Sequence, residues 1–341
     1  MKWLYKIVLL VLILIACVSA AGSLYFFNKI NSVYNEDNTY VFSDDPLYHF
    51  SLIVDSADEV YWQEFKEGAI KAGEVYNTAI EFNPVTNWDG NGEVVEYINI
   101  ATESKVDGII VAAENTVEFD NAIRHAANRG INIVVGVVEG IDSNQLAYVG
   151  TNFYEYGVQA AKLVEEAGGD GKSVDLAVIM SSRNSEESET AATTQNDVML
   201  NGLNSALKEE TQISLVSTMY RSSDLLGAED LTRNILTQHP DIDVIFCTNA
   251  KDTEATARVI VERNLVGKVK IVGTDITEEI IGYIKKGIVF GVLDRNGYDA
   301  GYNSVQALYN SIGGTFQTSY IDVGIDTYTI VNIDTYDRLE S

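Results

Sequence analysis

The strongest constraint in the sequence is an alternation of short β-rich apolar runs with amphipathic helical stretches, sustained from His49 to near the end of the chain. Strands are predicted at residues 50–55, 79–83, 108–112, 131–137, 174–180, 214–220, 244–248, 270–273 and 289–294. Helical patterns fall between them, for example at 62–76, 118–129, 154–167, 224–237 and 253–264. A run such as Ile109-Ile110-Val111 has no polar side to give to water, so it belongs to a parallel strand covered by helices on both faces. So many βα units exceed one ordinary open sheet. They fall into two groups on either side of Tyr148-Val149-Gly150-Thr151-Asn152, a candidate crossing, which favours two doubly wound α/β lobes over an even eight-unit barrel. Runs at 319–324 and 328–331 predict late strands and further crossings.

In open α/β sheets ligands sit outside the carboxyl ends of the strands. Here those ends carry Asp55-Ser56, Ala113-Glu114-Asn115, Glu139, Ser182-Arg183-Asn184, Arg221, Asn249, Asp275 and Asp294-Arg295. Each alone reads as a turn former or helix cap. Their recurrence at one strand end after another marks a polar cleft.

Several chemistries are absent. The first strand is followed by Asp55-Ser56-Ala57-Asp58-Glu59 and not by a glycine-rich dinucleotide fingerprint. Gly171-Lys172-Ser173 would need a glycine where Glu166 stands, and it leads into a strand, so it is a helix stop and turn. His49, His125 and His239 are scattered and no metal-ligand spacing occurs. There is no nucleophile elbow. The reading is a non-enzyme without cofactor or metal.

At the N-terminus, Lys2 and Lys6 flank an apolar stretch over residues 7–27, long enough to cross ~30 Å of hydrocarbon. The basic flank places the amino end inside and exports the rest of the chain. Three fates fit: cleavage after Val18-Ser19-Ala20, lipidation of Cys17 within Leu14-Ile15-Ala16-Cys17, or an uncleaved signal anchor. The anchor is favoured because apolar character runs past both processing sites to Tyr25-Phe26-Phe27. Residues 28–45 read as a polar spacer. The formal charge of −27 excludes nucleic acid as a partner, since phosphate binding needs clustered Lys and Arg. With Cys17 in the apolar stretch and Cys247 in Asp243-Val244-Ile245-Phe246-Cys247, there is no disulfide framework, and Cys247 reads as a small buried hydrophobe.

The stretch Tyr61-Trp62-Gln63-Glu64-Phe65-Lys66-Glu67-Gly68-Ala69 resembles the aromatic pair and helix of ribose- and galactose-type periplasmic binding proteins. So do Asp107-Gly108-Ile109-Ile110-Val111, Asn128-Arg129-Gly130-Ile131, Tyr148-Val149-Gly150-Thr151-Asn152, Gln238-His239-Pro240-Asp241, Thr248-Asn249, Val272-Gly273-Thr274-Asp275 and Asp294-Arg295-Asn296-Gly297-Tyr298-Asp299. Their order and spacing match over almost everything after Pro46. Lac-repressor-type regulators share this ligand core, but here an apolar segment and acidic charge stand where a DNA-binding head would be.

The resemblance implies two Rossmann-like lobes joined by three crossings, closing on a sugar by hinge motion. The first lobe would take residues 46–150 and 296–318, and the second 151–295 and 319–341. Tyr61 and Trp62 would stack on a monosaccharide ring, Asn249 and Asp275 would bond its hydroxyls, and Arg295 would stand in for a family Gln or Arg. The sequence departs from the pattern in having Ala113 for an Asn and Val137-Val138 for an Asp-Arg pair, with Glu139 one step later. Gln195 and Met199 bracket the place of a further Arg. The implied site is thus Tyr61, Trp62, Glu139, Gln195, Asn249, Asp275 and Arg295. The implied partner is a membrane permease of the ABC type, a sensor kinase or a chemoreceptor, outside the cytoplasm.

Overall fold

A computed structural model describes residues 6, 39–43, 45–55, 59–86, 92–112, 116–136, 146–169, 173–181, 192–207, 212–221, 227–315 and 318–336. The chain divides into two compact units, Met1–Tyr40 and Val41–Ser341. Of the first unit, Lys6 and the strand Thr39–Tyr40 are described. The expected membrane span therefore lies outside the described residues, as do most of the spacer, Ala113-Glu114-Asn115, Glu139 and Ser182-Arg183-Asn184. Among the described residues no helix is long and apolar enough to cross a membrane.

The second unit is built of βα repeats. Its first part comprises β1 (Tyr48–Asp55), α1 (Val60–Tyr76), β2 (Thr78–Val85), α2 (Gly92–Ser104), β3 (Gly108–Ala112), α3 (Val117–Asn128), β4 (Asn132–Gly136) and β5 (Ala147–Gly150). Next come α4 (Phe153–Gly168), β6 (Val174–Ser181), α5 (Ala192–Ala206), β7 (Ile213–Arg221), α6 (Ala228–Gln238), β8 (Val244–Cys247), α7 (Ala250–Glu262), β9 (Lys270–Thr274), α8 (Glu278–Lys285) and β10 (Gly291–Asp294). The chain ends in α9 (Gly297–Ile312), β11 (Tyr320–Asp322), β12 (Asp326–Thr329) and a 3-10 turn at Ile333–Thr335.

In this unit one sheet runs β2-β1-β3-β4-β5-β11 and the other β12-β10-β9-β8-β6-β7. All described pairings are parallel except β10 with β12. Tyr320–Asp322 pairs with Tyr148–Gly150 in the first sheet, so the expected return to the second lobe at 319 is displaced to β12. The sequence marks a strand there, but its partner lies some 170 residues back in the sequence, and no local pattern records that pairing.

Each sheet is sandwiched as its apolar runs require. One face of the first packs on α2 and α3 through Ile53, Ile98, Ile109, Val111, Phe119, Ile123 and Ile133. Its other face carries α1 and α9, which meet backbone to backbone. A side chain at Gly68 would strike the Tyr298 carbonyl, and one at Gly301 the Phe65 carbonyl. The second sheet buries Ile179, Ile245 and Ile271 against α6, α7 and α8, with α4 and α5 on its reverse, packed at Gly157 and Gly202.

The chain passes between the sheets three times, after β5, β10 and β11. These crossings are tied to one another. Thr151 Oγ1 donates to the Arg295 carbonyl at 3.3 Å, Asn296 Nδ2 to the Val323 carbonyl at 3.3 Å, and the Val323 N–H to the Gly150 carbonyl at 3.2 Å.

Candidate functional site

α1 starts after the carboxyl end of β1 and brings Tyr61 to the boundary between the lobes, with Trp62 against it. Both are nearly fully buried, at 3% and 4% exposure, on the side of the helix that also buries Phe65 and Ala69. Their rings meet edge-on with centroids 5.0 Å apart.

From the second lobe, β9 delivers Asp275 and β10 leads to Arg295. Asp275 adopts a φ of 59°, left-handed backbone that an aspartate tolerates better than most side chains. Its N–H keeps a strand-like bond to the Leu293 carbonyl at 2.8 Å. Arg295 Nε donates to Asp275 Oδ1 at 3.0 Å, and its terminal NH2 donates to Oδ2, making a two-pronged fork. The same guanidinium lies over the Tyr61 ring, 4.6 Å from its centroid. One cation is thus forked on a carboxylate of the second lobe and stacked on an aromatic face of the first.

Burial works against the Arg295 charge, but the Asp275 carboxylate outweighs it and holds the guanidinium pKa above its ordinary value. Glu59, just before α1, contributes to the field at both Arg295 and Asp252. The Tyr61 hydroxyl, beside Thr151, makes no hydrogen bond of good geometry. Burial raises its pKa above the usual phenol range, so it stands as a protonated donor.

Asn249 has a structural duty at the head of α7. Its side-chain oxygen accepts from the Asp252 N–H at 2.8 Å and its amide donates to Asp252 Oδ2 at 2.5 Å. Asp252 is 1% exposed, and Arg221 Nε lies 2.6 Å from its Oδ1. Gln195 is half-buried on α5; no described contact joins it to Asp275 or Arg295. Met199 is buried where α5 packs on Gly157 of α4.

The structure brings Tyr61, Trp62, Asp275 and Arg295 together. It adds a residue that sequence reasoning missed. Tyr156, in the first helix after the crossing, donates its hydroxyl to Thr274 Oγ1, which donates in turn to the Cys247 carbonyl at 2.8 Å. Tyr156 is buried and feels both charges of the ion pair. The run Phe153-Tyr154-Glu155-Tyr156 carried the signal, but one aromatic of the three faces solvent and the repeat does not say which.

The periplasmic binding protein domain family matches residues 50–315. The chain belongs to that family. Among solved structures, a glucose-galactose binding protein from Geobacillus stearothermophilus, GanP, is 26% identical, with a TM-score of 0.73 over 84% of this chain and 99% of that one. XylFII in its complex with LytSN is also 26% identical, with a TM-score of 0.70 over 84% of this chain and 99% of that one. The D-allose-binding periplasmic protein of Escherichia coli is 22% identical over 272 residues, 77% of this chain and 84% of the relative. Family membership fixes the architecture as two α/β lobes with the cleft between them.

Proposed function

We propose that this family member is a non-enzymatic, extracytoplasmic monosaccharide-binding protein, tethered by its N-terminal apolar segment, that closes its lobes on the sugar and presents it to a membrane partner. The observation that carries this reading is Arg295, forked on Asp275 and stacked on Tyr61 where the two lobes meet. A sugar offers an apolar ring face and a rim of hydroxyls. Tyr61 and Trp62 supply faces for the first, while Asp275, Arg295 and Asn249 supply charge-assisted and neutral bonds for the second. Glu139, which lies outside the described residues, and Gln195 complete the proposed site on the family resemblance alone. Relatives that bind glucose-galactose and D-allose support the sugar class. The likeness to XylFII, seen with LytSN, supports a sensor partner beside the permease reading, and a tether favours it by holding the receptor next to one membrane protein.

A thermal-shift screen of the protein against pentoses, hexoses, inositols, nucleosides and amino acids tests the ligand class. A sugar at 100 times its dissociation constant adds ~2.7 kcal/mol of stability. A shift produced by amino acids or nucleosides and by no sugar would move the protein to a non-sugar ligand. Intact-protein mass spectrometry tests the tether: a start at Met1 without lipid on Cys17 supports the anchor, and a diacylglycerol adduct or a start at Ala21 replaces it.

A further inference from the structure

α1 and α9 run parallel, both starting at the cleft: Gly297 lies against Tyr61 and Glu64, Gly301 against Phe65 and Ala69, and the Tyr76 and Tyr309 rings stack at 4.6 Å. By helix rise the far end of α1 is about 22 Å from Tyr61. That far end is unusually apolar at its surface. Val75 is 55% exposed, Leu47 60%, Val41 53% and Phe42 36%. They form one patch: Phe42 lies against Gly73, and the Leu47 N–H donates to the carbonyl of Asn77, which caps α1. Beside them Tyr48, Tyr76, Tyr302 and Tyr309 join in ring contacts, all only half-buried. Ser43 and Asp45 are pinned to the same Asn77 side chain, so the chain enters the lobe at this end.

We propose that this patch rests on the outer surface of the lipid bilayer, holding the first lobe upright with the cleft facing away from the membrane. The inference rests on the proposed tether. The apolar stretch ends at Phe27, and the residues between it and the patch span at most about 50 Å fully extended, so a bilayer is always within reach at high effective concentration. Aliphatic side chains rimmed by tyrosines match the boundary between headgroups and acyl chains.

The test uses the full chain in phosphatidylcholine liposomes, plain or brominated on the acyl chains. Phe42→Trp should lose about half its added emission in the brominated lipid, because shallow insertion reaches about 5–10 Å into the boundary. Val261→Trp, on an exposed face of the second lobe, should be unaffected. Leu47→Asp combined with Val75→Asp should abolish the quenching at position 42 while the protein still floats with the liposomes. Loss of flotation would sink the tether and the docking with it. Flotation with an unquenched Phe42→Trp sinks the docking alone. Shielding of that tryptophan from aqueous acrylamide without bromolipid quenching assigns the patch to a protein and overturns the bilayer. Quenching that survives the double aspartate variant also overturns it.

Discussion

The first lobe's core sheet runs β2-β1-β3-β4-β5 and the second's runs β7-β6-β8-β9-β10, the same order twice, yet the two lobes bring different side chains to the Asp275–Arg295 pair and its neighbours. The first offers aromatic faces, Tyr61 and Trp62, from the start of a helix. The second offers buried ions and amides, with Asp252, Asp275 and Asp294 all at 2% exposure or less and Asn249 at 4%. A doubly wound half therefore fixes where a ligand lies but not what holds it. In the proposed site the second lobe is the polar seat and the first the apolar cover.

The largest expected effect comes from removing the cation that spans both halves. Arg295→Ala leaves the Asp275 carboxylate, whose side chain is 3% exposed, without its counter-ion. The folded state should lose ~3–5 kcal/mol. Urea unfolding of wild type and variant measures it. A loss below ~1 kcal/mol would mean that water reaches Asp275 and the seat is not dry.

Next in size is the affinity of the seat itself. Asp275→Asn keeps a side chain that tolerates the 59° φ but removes the charge. Sugar binding should weaken by ~2–4 kcal/mol, read by calorimetry on the folded protein. An unchanged dissociation constant would take Asp275 out of the site and make the pair purely structural.

The same contrast explains what the sequence made legible. The α/β class, the crossing at Tyr148–Asn152 and the cleft role of strand ends follow from apolar runs and turn residues, which are local. Asp275 and Arg295 could be placed because each follows a strand end, and Tyr61 and Trp62 through the resemblance of the stretch that opens α1 to a known family. The Tyr156–Thr274 bond could not, since it joins residues 118 apart and nothing local marks which tyrosine turns inward. The placement of β11 failed for the same reason. Asn249 was legible as a strand-end polar group, but its bonds to Asp252 depend on α7 beginning at Ala250, within the ordinary uncertainty of a helix boundary.

A smaller effect tests the cover. Tyr61→Phe deletes a buried hydroxyl without a well-formed bond and keeps the ring under Arg295. The free protein should gain ~1 kcal/mol of stability from losing an unsatisfied polar group. Sugar affinity should fall if the hydroxyl donates to the ligand. A variant unchanged in both measurements would reduce the first lobe's part to ring surface alone.

The smallest expected effect is a slope. Burial outweighs Arg221 and Asn249 and raises the Asp252 pKa above its ordinary value. Between the unfolded value of ~3.9 and the raised folded value, the folded protein keeps a proton that the unfolded chain has released. The sign is therefore the reverse of a salt-bridged carboxylate: the contribution to stability is greatest at low pH and is lost as pH rises through that window. Asp252→Asn mimics the protonated form. Its single side-chain oxygen cannot serve both the Asn249 amide and Arg221, so the variant carries a fixed cost that does not depend on pH. Urea midpoints at a series of pH values separate the two contributions. Relative to wild type, the variant should improve from about pH 4 up to the raised folded pKa and hold level above it, whatever its offset. A constant difference across that range would mean that Asp252 titrates normally, and that the second lobe's seat is wetter at α7 than at the Asp275–Arg295 pair.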